Sequence, residues 1–256
     1  MVPRLKQVVL IASLLIFPCF SALAGLNNSN NKICRPGTLD TTFAGIILPN
    51  ASLIKSTHTR YILIFYAHHT YRDIKFLDRD IIRKGDQLIV LQKLYNGSYI
   101  NTDSVIVNGK SLIPIESYSD INSSKDSFNY AGNKVCGTML EKEGAKKGAL
   151  TKVDTTFPKP LFNGLIYNET LQSLSYQKNH PFYLAEYVPG HNTKFTRVEY
   201  IKDDDLTISG LKIPAKVLEG RIGNIVIHYW LNAKNQELLK IEGKFPGFDY
   251  YMLRMV

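Results

Sequence analysis

The residues with the widest chemical reach in this chain are six histidines, three cysteines and the run Asp203-Asp204-Asp205. An imidazole can act as a general base or metal ligand, a thiol as a nucleophile, and clustered carboxylates can hold a hard cation. Their spacing favours none of these uses. His68 and His69 are adjacent, so on a strand they point to opposite faces and cannot easily share a metal. His58 and His68 flank the Arg60–Tyr66 strand and read as surface residues, and His228 as a satisfied histidine at the rim of a sheet. Three consecutive carboxylates do not converge on a strand or tight turn, so 203–205 reads as a solvated acidic tip. The sequence holds no His-Glu-x-x-His, no Gly-x-Ser-x-Gly elbow, no phosphate-cradling glycine loop and no Gly-x-Gly-x-x-Gly fingerprint. An enzyme would have to assemble its site from distant residues, with His58, His228 and an aspartate as the candidates. We expect no metal site and no cofactor.

The aromatic residues say more. Tyr and Trp join an apolar body to a polar tip, which suits a surface that receives an amphipathic ligand. Tyr229, Trp230, Tyr251, Tyr183 and Phe65 are the candidate ligand contacts, and all lie in runs that read as strands. Sheet alternation forbids Tyr229 and Trp230 from facing the same side. The competing use is core filling and cross-strand packing.

The elements that would position these residues are almost all strands. From Thr196 onward, runs rich in β-branched and aromatic residues alternate with turn signals such as Ser209-Gly210, Gly223-Asn224 and Pro246-Gly247. Upstream, Lys84-Gly85-Asp86, Asn96-Gly97 and Asn108-Gly109 mark further hairpin turns. Arg60 to Tyr66 is nearly continuous in apolar β formers, which predicts a strand buried on both faces. Gly45 to Pro49 reads as a short edge strand. One helix is expected after Pro158-Lys159-Pro160. Leu161, Phe162, Leu165, Ile166, Leu171 and Leu174 recur at helical spacing, with Asn168-Glu169-Thr170 on the opposite face and an end near Ser175. The expected fold class is mainly β: a curved antiparallel sheet or open half-barrel with one helix packed on its concave face.

The N-terminus places the protein. Arg4 and Lys6 precede an apolar stretch from Val8 to Phe20, and Ala22-Leu23-Ala24 forms a signal-peptidase site, so residues 1–24 read as a signal peptide. Removing 24 of 256 residues leaves 232, divided into an extended leader (25–50) and a single β-rich domain (51–256). No later segment is long and apolar enough to be a transmembrane helix. The protein is thus expected in the periplasm or secreted. Cys19 leaves with the signal, and Cys34 and Cys136 remain as an even pair in an oxidising space, so a disulfide between them is expected. The formal charge is +9; loss of Arg4 and Lys6 brings it to +7. That excess is scattered and includes no arginine-rich run, which argues against nucleic acid. The sequons at Asn27, Asn50, Asn96, Asn122 and Asn168 read as chance occurrences.

The order of elements from about residue 75 onward resembles a family of exported bacterial domains of unknown function. The resemblance is carried by Asp103-Ser104-Val105-Ile106-Val107 with Ser111-Leu112-Ile113-Pro114-Ile115, and by the pair Phe128-Asn129-Tyr130 and Lys134-Val135-Cys136-Gly137. A helix, a tyrosine strand, Tyr229-Trp230-Leu231 and Leu238-Leu239-Lys240-Ile241 follow in order. The resemblance implies an open half-barrel similar to that of periplasmic lipoprotein carriers, which hold acyl chains against a concave sheet. It carries no catalytic residues, and a Cys34–Cys136 bridge is not part of it. The function expected is therefore non-enzymatic: an exported domain binding a lipid or other apolar small molecule. The alternatives are an envelope scaffold that engages a partner protein through strand edges, and an enzyme of unrecognised site.

Overall fold

The computed structural model describes residues 41–67, 71–144, 146–188 and 193–255. The expected signal peptide, Cys34 and most of the leader lie outside these residues, as do His68, His69 and His191.

Sixteen strands form one sheet. After the short β1 (Thr41–Thr42), a meander runs through β2 (Thr57–Ala67), β3 (Tyr71–Lys84), β4 (Gln87–Asn96), β5 (Tyr99–Asn108), β6 (Pro114–Asp120), β7 (Ser124–Ala131), β8 (Lys134–Glu141) and β9 (Leu150–Thr156). The chain then makes β10 (Phe162–Asn163), a 3-10 turn (Gly164–Ile166) and the helix α1 (Tyr167–Ser173). A second meander follows as β11 (Phe182–Tyr187), β12 (Lys194–Ile208), β13 (Leu211–Ile222), β14 (Ile225–Asn232), β15 (Leu238–Phe245) and β16 (Phe248–Arg254). The last strand joins the two meanders, because β16 pairs antiparallel with β2. The two short strands β1 and β10 pair in parallel with β11.

The hairpins turn where their residue types allow it. Gly85 and Gly97 take φ of 60° and 61°, the left-handed region that tight hairpins need. The sheet curves without closing: β9 ends it on one side and β1 on the other. Side chains nonetheless bridge the gap. Phe128 and Val135, near one end, share a cluster with Ala185 and Tyr187 of β11, near the other. Asn163 Nδ2 also donates to the Tyr130 hydroxyl at 2.9 Å.

Helix α1 lies on the concave face. Its Tyr167 ring is 5.4 Å from that of Tyr229 on β14, while Glu169 meets Arg79 on β3. Gln172 Nε2 donates to Asn235 O at 3.0 Å. The apolar residues expected on this helix are all buried, as the spacing implied.

Four expectations change. The helix is shorter than the apolar spacing suggested, because Phe162 and Asn163 join the sheet. Asn163 then accepts from Leu165 N and starts the 3-10 turn. Glu169 and Thr170 do not face water: they are 2% and 1% exposed, so the helix is buried around most of its circumference. Gly45 to Pro49 forms turns rather than a strand. Asp203-Asp204-Asp205 is no tip; it lies within β12, opposite Lys216, Ala215 and Pro214 of β13, and Ser209-Gly210 makes the turn. Asp204 and Asp205 pair instead with Lys202 (3.2 Å) and Lys212 (2.9 Å).

Gly137 is the tightest point of the sheet. A Cβ there would lie 2.6 Å from the Phe128 ring and 2.9 Å from Phe128 Cα, nearer than side chains tolerate. The cross-strand ring therefore covers a residue that cannot be anything larger. Gly137→Ala should destabilise the protein by about 1–3 kcal/mol through overpacking. An unchanged denaturation midpoint would show that the β7–β8 pair adjusts freely.

Candidate functional site

Two regions hold the residues with functional potential: the interior of the curve and its outer face. The interior carries the main apolar core. Residues from both meanders and from α1, among them Leu63, Leu88, Val105, Leu171, Leu184 and Leu231, form one buried cluster. At its edge, a polar cleft between α1 and β2 is lined by Lys55, Thr57, Thr59, Asn168, Glu237 and Arg254, among others. Its volume of about 20 Å³ has room for about one water molecule.

A row of polar residues crosses this interior. The strand registers place Thr59, Arg79, Gln92, Asp103, Ser119 and Asp126 directly opposite one another, one on each strand from β2 to β7. Arg79 is its hub. Its guanidinium donates to both Glu169 oxygens (3.1 and 2.6 Å), to Gln92 Oε1 (2.5 Å) and to Leu165 O (2.7 Å). Gln92 Nε2 reaches Asp103 Oδ2 at 3.5 Å, and Ser119 Oγ donates to Asp103 Oδ1 at 2.8 Å. Burial pushes the Asp103 carboxyl up to about 7, against the pull of Ser119 and Arg79. Burial likewise lifts Asp126 to about 6. The row fastens the helix to the sheet through the Arg79–Glu169 pair.

Glu186 on β11 is a second buried carboxyl, 2% exposed. Thr196 Oγ1 donates to its Oε2 at 3.1 Å, and its Oε1 has no hydrogen-bond partner. Burial raises it to about 8, opposed by the Thr196 bond and the Lys194 charge.

The outer face has a different character. Val217, Trp230, Lys240, Leu253, Ile62, Phe76, Tyr95 and Ile100 stand opposite one another on eight successive strands, from β13 to β5. A second row beside it runs Tyr251, Ile64, Ile74. The one charge in the first row folds down: Lys240 Nζ lies 4.3 Å over the Trp230 ring and 2.7 Å from Glu242. At about 4.8 Å per strand, the first row is about 34 Å long. Phe76, Ile74 and Ile100 are 41%, 45% and 52% exposed. Val217 at the far end is buried, and Trp230 and Leu253 pack against a small cluster of Ile208, Ala215 and Leu239, so the exposed part of the surface lies on β3 to β5. An exposed apolar group of this kind marks an interaction face more often than a solitary hydrophobe does.

The structure divides the five residues expected to touch a ligand. Tyr229 and Phe65 point inward into the core, Phe65 with its ring 5.2 Å from Tyr250. Trp230 and Tyr251 point outward and belong to the apolar rows. Tyr251 stands edge-on to Tyr66 at 5.9 Å, and Trp230 Nε1 donates to Asp204 at 3.3 Å. Tyr183 is half-buried on β11, opposite Arg197 of β12. The five therefore share no single site. The outward residues of β2 correct another expectation: Ile62, Ile64 and Tyr66 are only half-buried, so Arg60 to Tyr66 is not buried on both faces.

His58 and His228 are not brought together. Each finds a carboxylate of its own, Asp80 at 2.6 Å and Glu219 at 3.4 Å. His228 shares its cross-strand row with Ile64, so the histidines stand about 14 Å apart across the sheet and about 20 Å along it. Among the described residues no three His, Cys, Asp or Glu are grouped to hold a metal, and no helix is long and apolar enough to cross a membrane. Cys136 carries a free thiol 3.5 Å from Asp154 Oδ1, and the expected bridge to Cys34 falls outside the described residues. Sequence reading missed Arg79, Glu169, Asp103 and Glu186; only the pairing registers reveal the polar row. No protein-family model matches the chain and no curated protein matches it, so the two faces are read from their own geometry.

Proposed function

We propose that this is a non-catalytic binding protein of the bacterial envelope that holds an apolar partner against the outside of its curved sheet. The observation that carries this reading is the outer apolar surface, where Ile74 and Phe76 of β3 and Ile100 of β5 are exposed to water on either side of the half-buried Tyr95 of β4. The lipid or apolar partner expected from the sequence keeps its chemistry and changes its place. On the concave side, an acyl chain would have to displace α1, whose Leu171 and Ser173 are fully buried and whose Glu169 is locked to Arg79.

The strand edge supports a second reading. Among the described residues β9 terminates the sheet with no strand on its far side, and its Leu150 is 59% exposed. Such an edge can accept an extended segment of another protein by backbone hydrogen bonding.

One experiment separates the two. A photoreactive side chain is placed at Phe76, at Lys152 on β9, or at Ser127 as an exposed control, in cells exporting the protein. Adducts at Phe76 and none at Ser127 are expected. Adducts at Lys152 alone would transfer the function to the edge, and none at Phe76 would end the outer-face reading.

A further inference from the structure

The partner that fits the outer face can be named by its chemistry. We infer that this face docks on the surface of an anionic lipid bilayer, a conclusion that rests on the outer-face reading above. Three features point there.

The first is shape. The face lies on the convex side of the sheet, so its apolar residues stand proud. A protein partner gains most of its binding energy from anchors seated in pockets, which outward curvature disfavours. A fluid bilayer conforms to a convex surface without needing one.

The second is residue type. Tyr66, Tyr95 and Tyr251 stand among Ile62, Ile64, Ile74, Phe76 and Ile100. Aromatic rings with polar tips are favoured where headgroups meet acyl chains, one end dry and the other wet.

The third is charge. The acids nearest the band are already neutralised: Asp78 by Arg60, Glu242 by Lys240 and Asp204 by Lys202. Arg72, Lys93 and Lys244 are exposed and carry no ion pair among the described residues; of the acids beside them, Asp249 opposite Lys244 is likewise unpaired, and Asp80 meets only His58. Arg72 lies over the Tyr66 ring, with its guanidinium carbon 5.4 Å from the centroid. The rim is thus positive, as is the whole chain at +9. Near an anionic surface each such charge contributes about 1 kcal/mol. The same rim disfavours a second copy of the chain, which would bring like charges face to face.

The test is co-sedimentation of the purified full chain with vesicles of phosphatidylglycerol and phosphatidylethanolamine, or of phosphatidylcholine alone. Two variants accompany it: Phe76→Glu/Ile100→Glu, and Arg72→Glu/Lys93→Glu. All keep the same N-terminus, so differences between them report the outer face. The sites are exposed, and an unchanged circular dichroism spectrum and melting temperature verify the fold. The expected result is binding at least about tenfold stronger to the anionic vesicles, weakened by salt. Phe76→Glu/Ile100→Glu should lose it about tenfold, and Arg72→Glu/Lys93→Glu should lose the preference for anionic lipid. Equal sedimentation of wild type and variants overturns the inference, and so does a wild-type dimer that Phe76→Glu/Ile100→Glu converts to monomer. Protein adducts at Phe76 without vesicle binding would sink the lipid assignment alone, whereas absence of any adduct there removes the underlying reading as well.

Discussion

Glu186→Gln should leave stability nearly unchanged at pH 4 and raise it at pH 8. The direction follows from linkage between protonation and folding. Burial lifts the Glu186 carboxyl from 4.5 to about 8 in the folded protein, while an unfolded chain keeps the ordinary value. A group raised on folding contributes its full stability below the unfolded value. It loses that contribution as pH climbs through the folded one. Wild type should therefore weaken steadily between about pH 4.5 and pH 8, whereas the neutral amide has no charge to bury. The difference at pH 8 is up to about 4 kcal/mol, from roughly 1.4 kcal/mol per pKa unit. Each kcal/mol corresponds to about 2–4 °C in Tm for a chain of this size. Thermal melts of both proteins across this range provide the check, and parallel profiles would refute the assignment. Asp103 and Asp126 shift in the same direction, to about 7 and about 6, so wild-type stability should peak on the acid side of neutrality.

Arg79→Met should be the most damaging single substitution in the interior. It strands a buried carboxylate on α1 and deprives Gln92 and Leu165 O of a donor. Removing one partner of a buried ion pair typically costs about 3–5 kcal/mol, a large share of the roughly 5–15 kcal/mol that holds a domain folded. The double variant Arg79→Met/Glu169→Met should recover a substantial part, because no charge is then left unpaired in the core. Urea denaturation of wild type, both single variants and the double variant measures the coupling. Additive losses would mean that the pair does not join the helix to the sheet.

How much of this was legible in the sequence depends on whether the signal was local. Turns at Gly85, Gly97 and Gly210 announce themselves through residue type, and the strands between them follow. The helix was visible in the spacing of Leu165, Ile166, Leu171 and Leu174, all of which are buried. Its Glu169 was misplaced because the partner that draws it inward, Arg79, lies 90 residues away in the chain. The three aspartates looked like a turn because two of their partners, the Lys212 ammonium and the Trp230 N–H, come from neighbouring strands. Arg60 to Tyr66 is the most instructive case. A continuous apolar run is compatible with burial on both faces or with an apolar surface left in water, and one-dimensional spacing cannot tell these apart. The exposed Ile74 and Phe76 opposite it decide for the second, and thereby reveal the candidate surface.

The polar row from Thr59 to Asp126 has a consequence for how the chain finds its pairing. In a long meander with apolar residues at every second inward position, sliding one strand by two residues keeps its oily face inside. Ordinary hydrophobic contacts therefore discriminate poorly between neighbouring alignments. The row removes that ambiguity. A two-residue slip of β4 would set Arg79 against an apolar side chain such as Val90 or Leu94, and a slip of β5 would set Asp103 likewise. Each slip breaks a buried hydrogen bond of Arg79 or Asp103 and leaves a polar group unsatisfied, at about 1–3 kcal/mol. The interior ladder thus works as a set of alignment marks, one on each of six neighbouring strands, that lets a repetitive chain settle into one pairing.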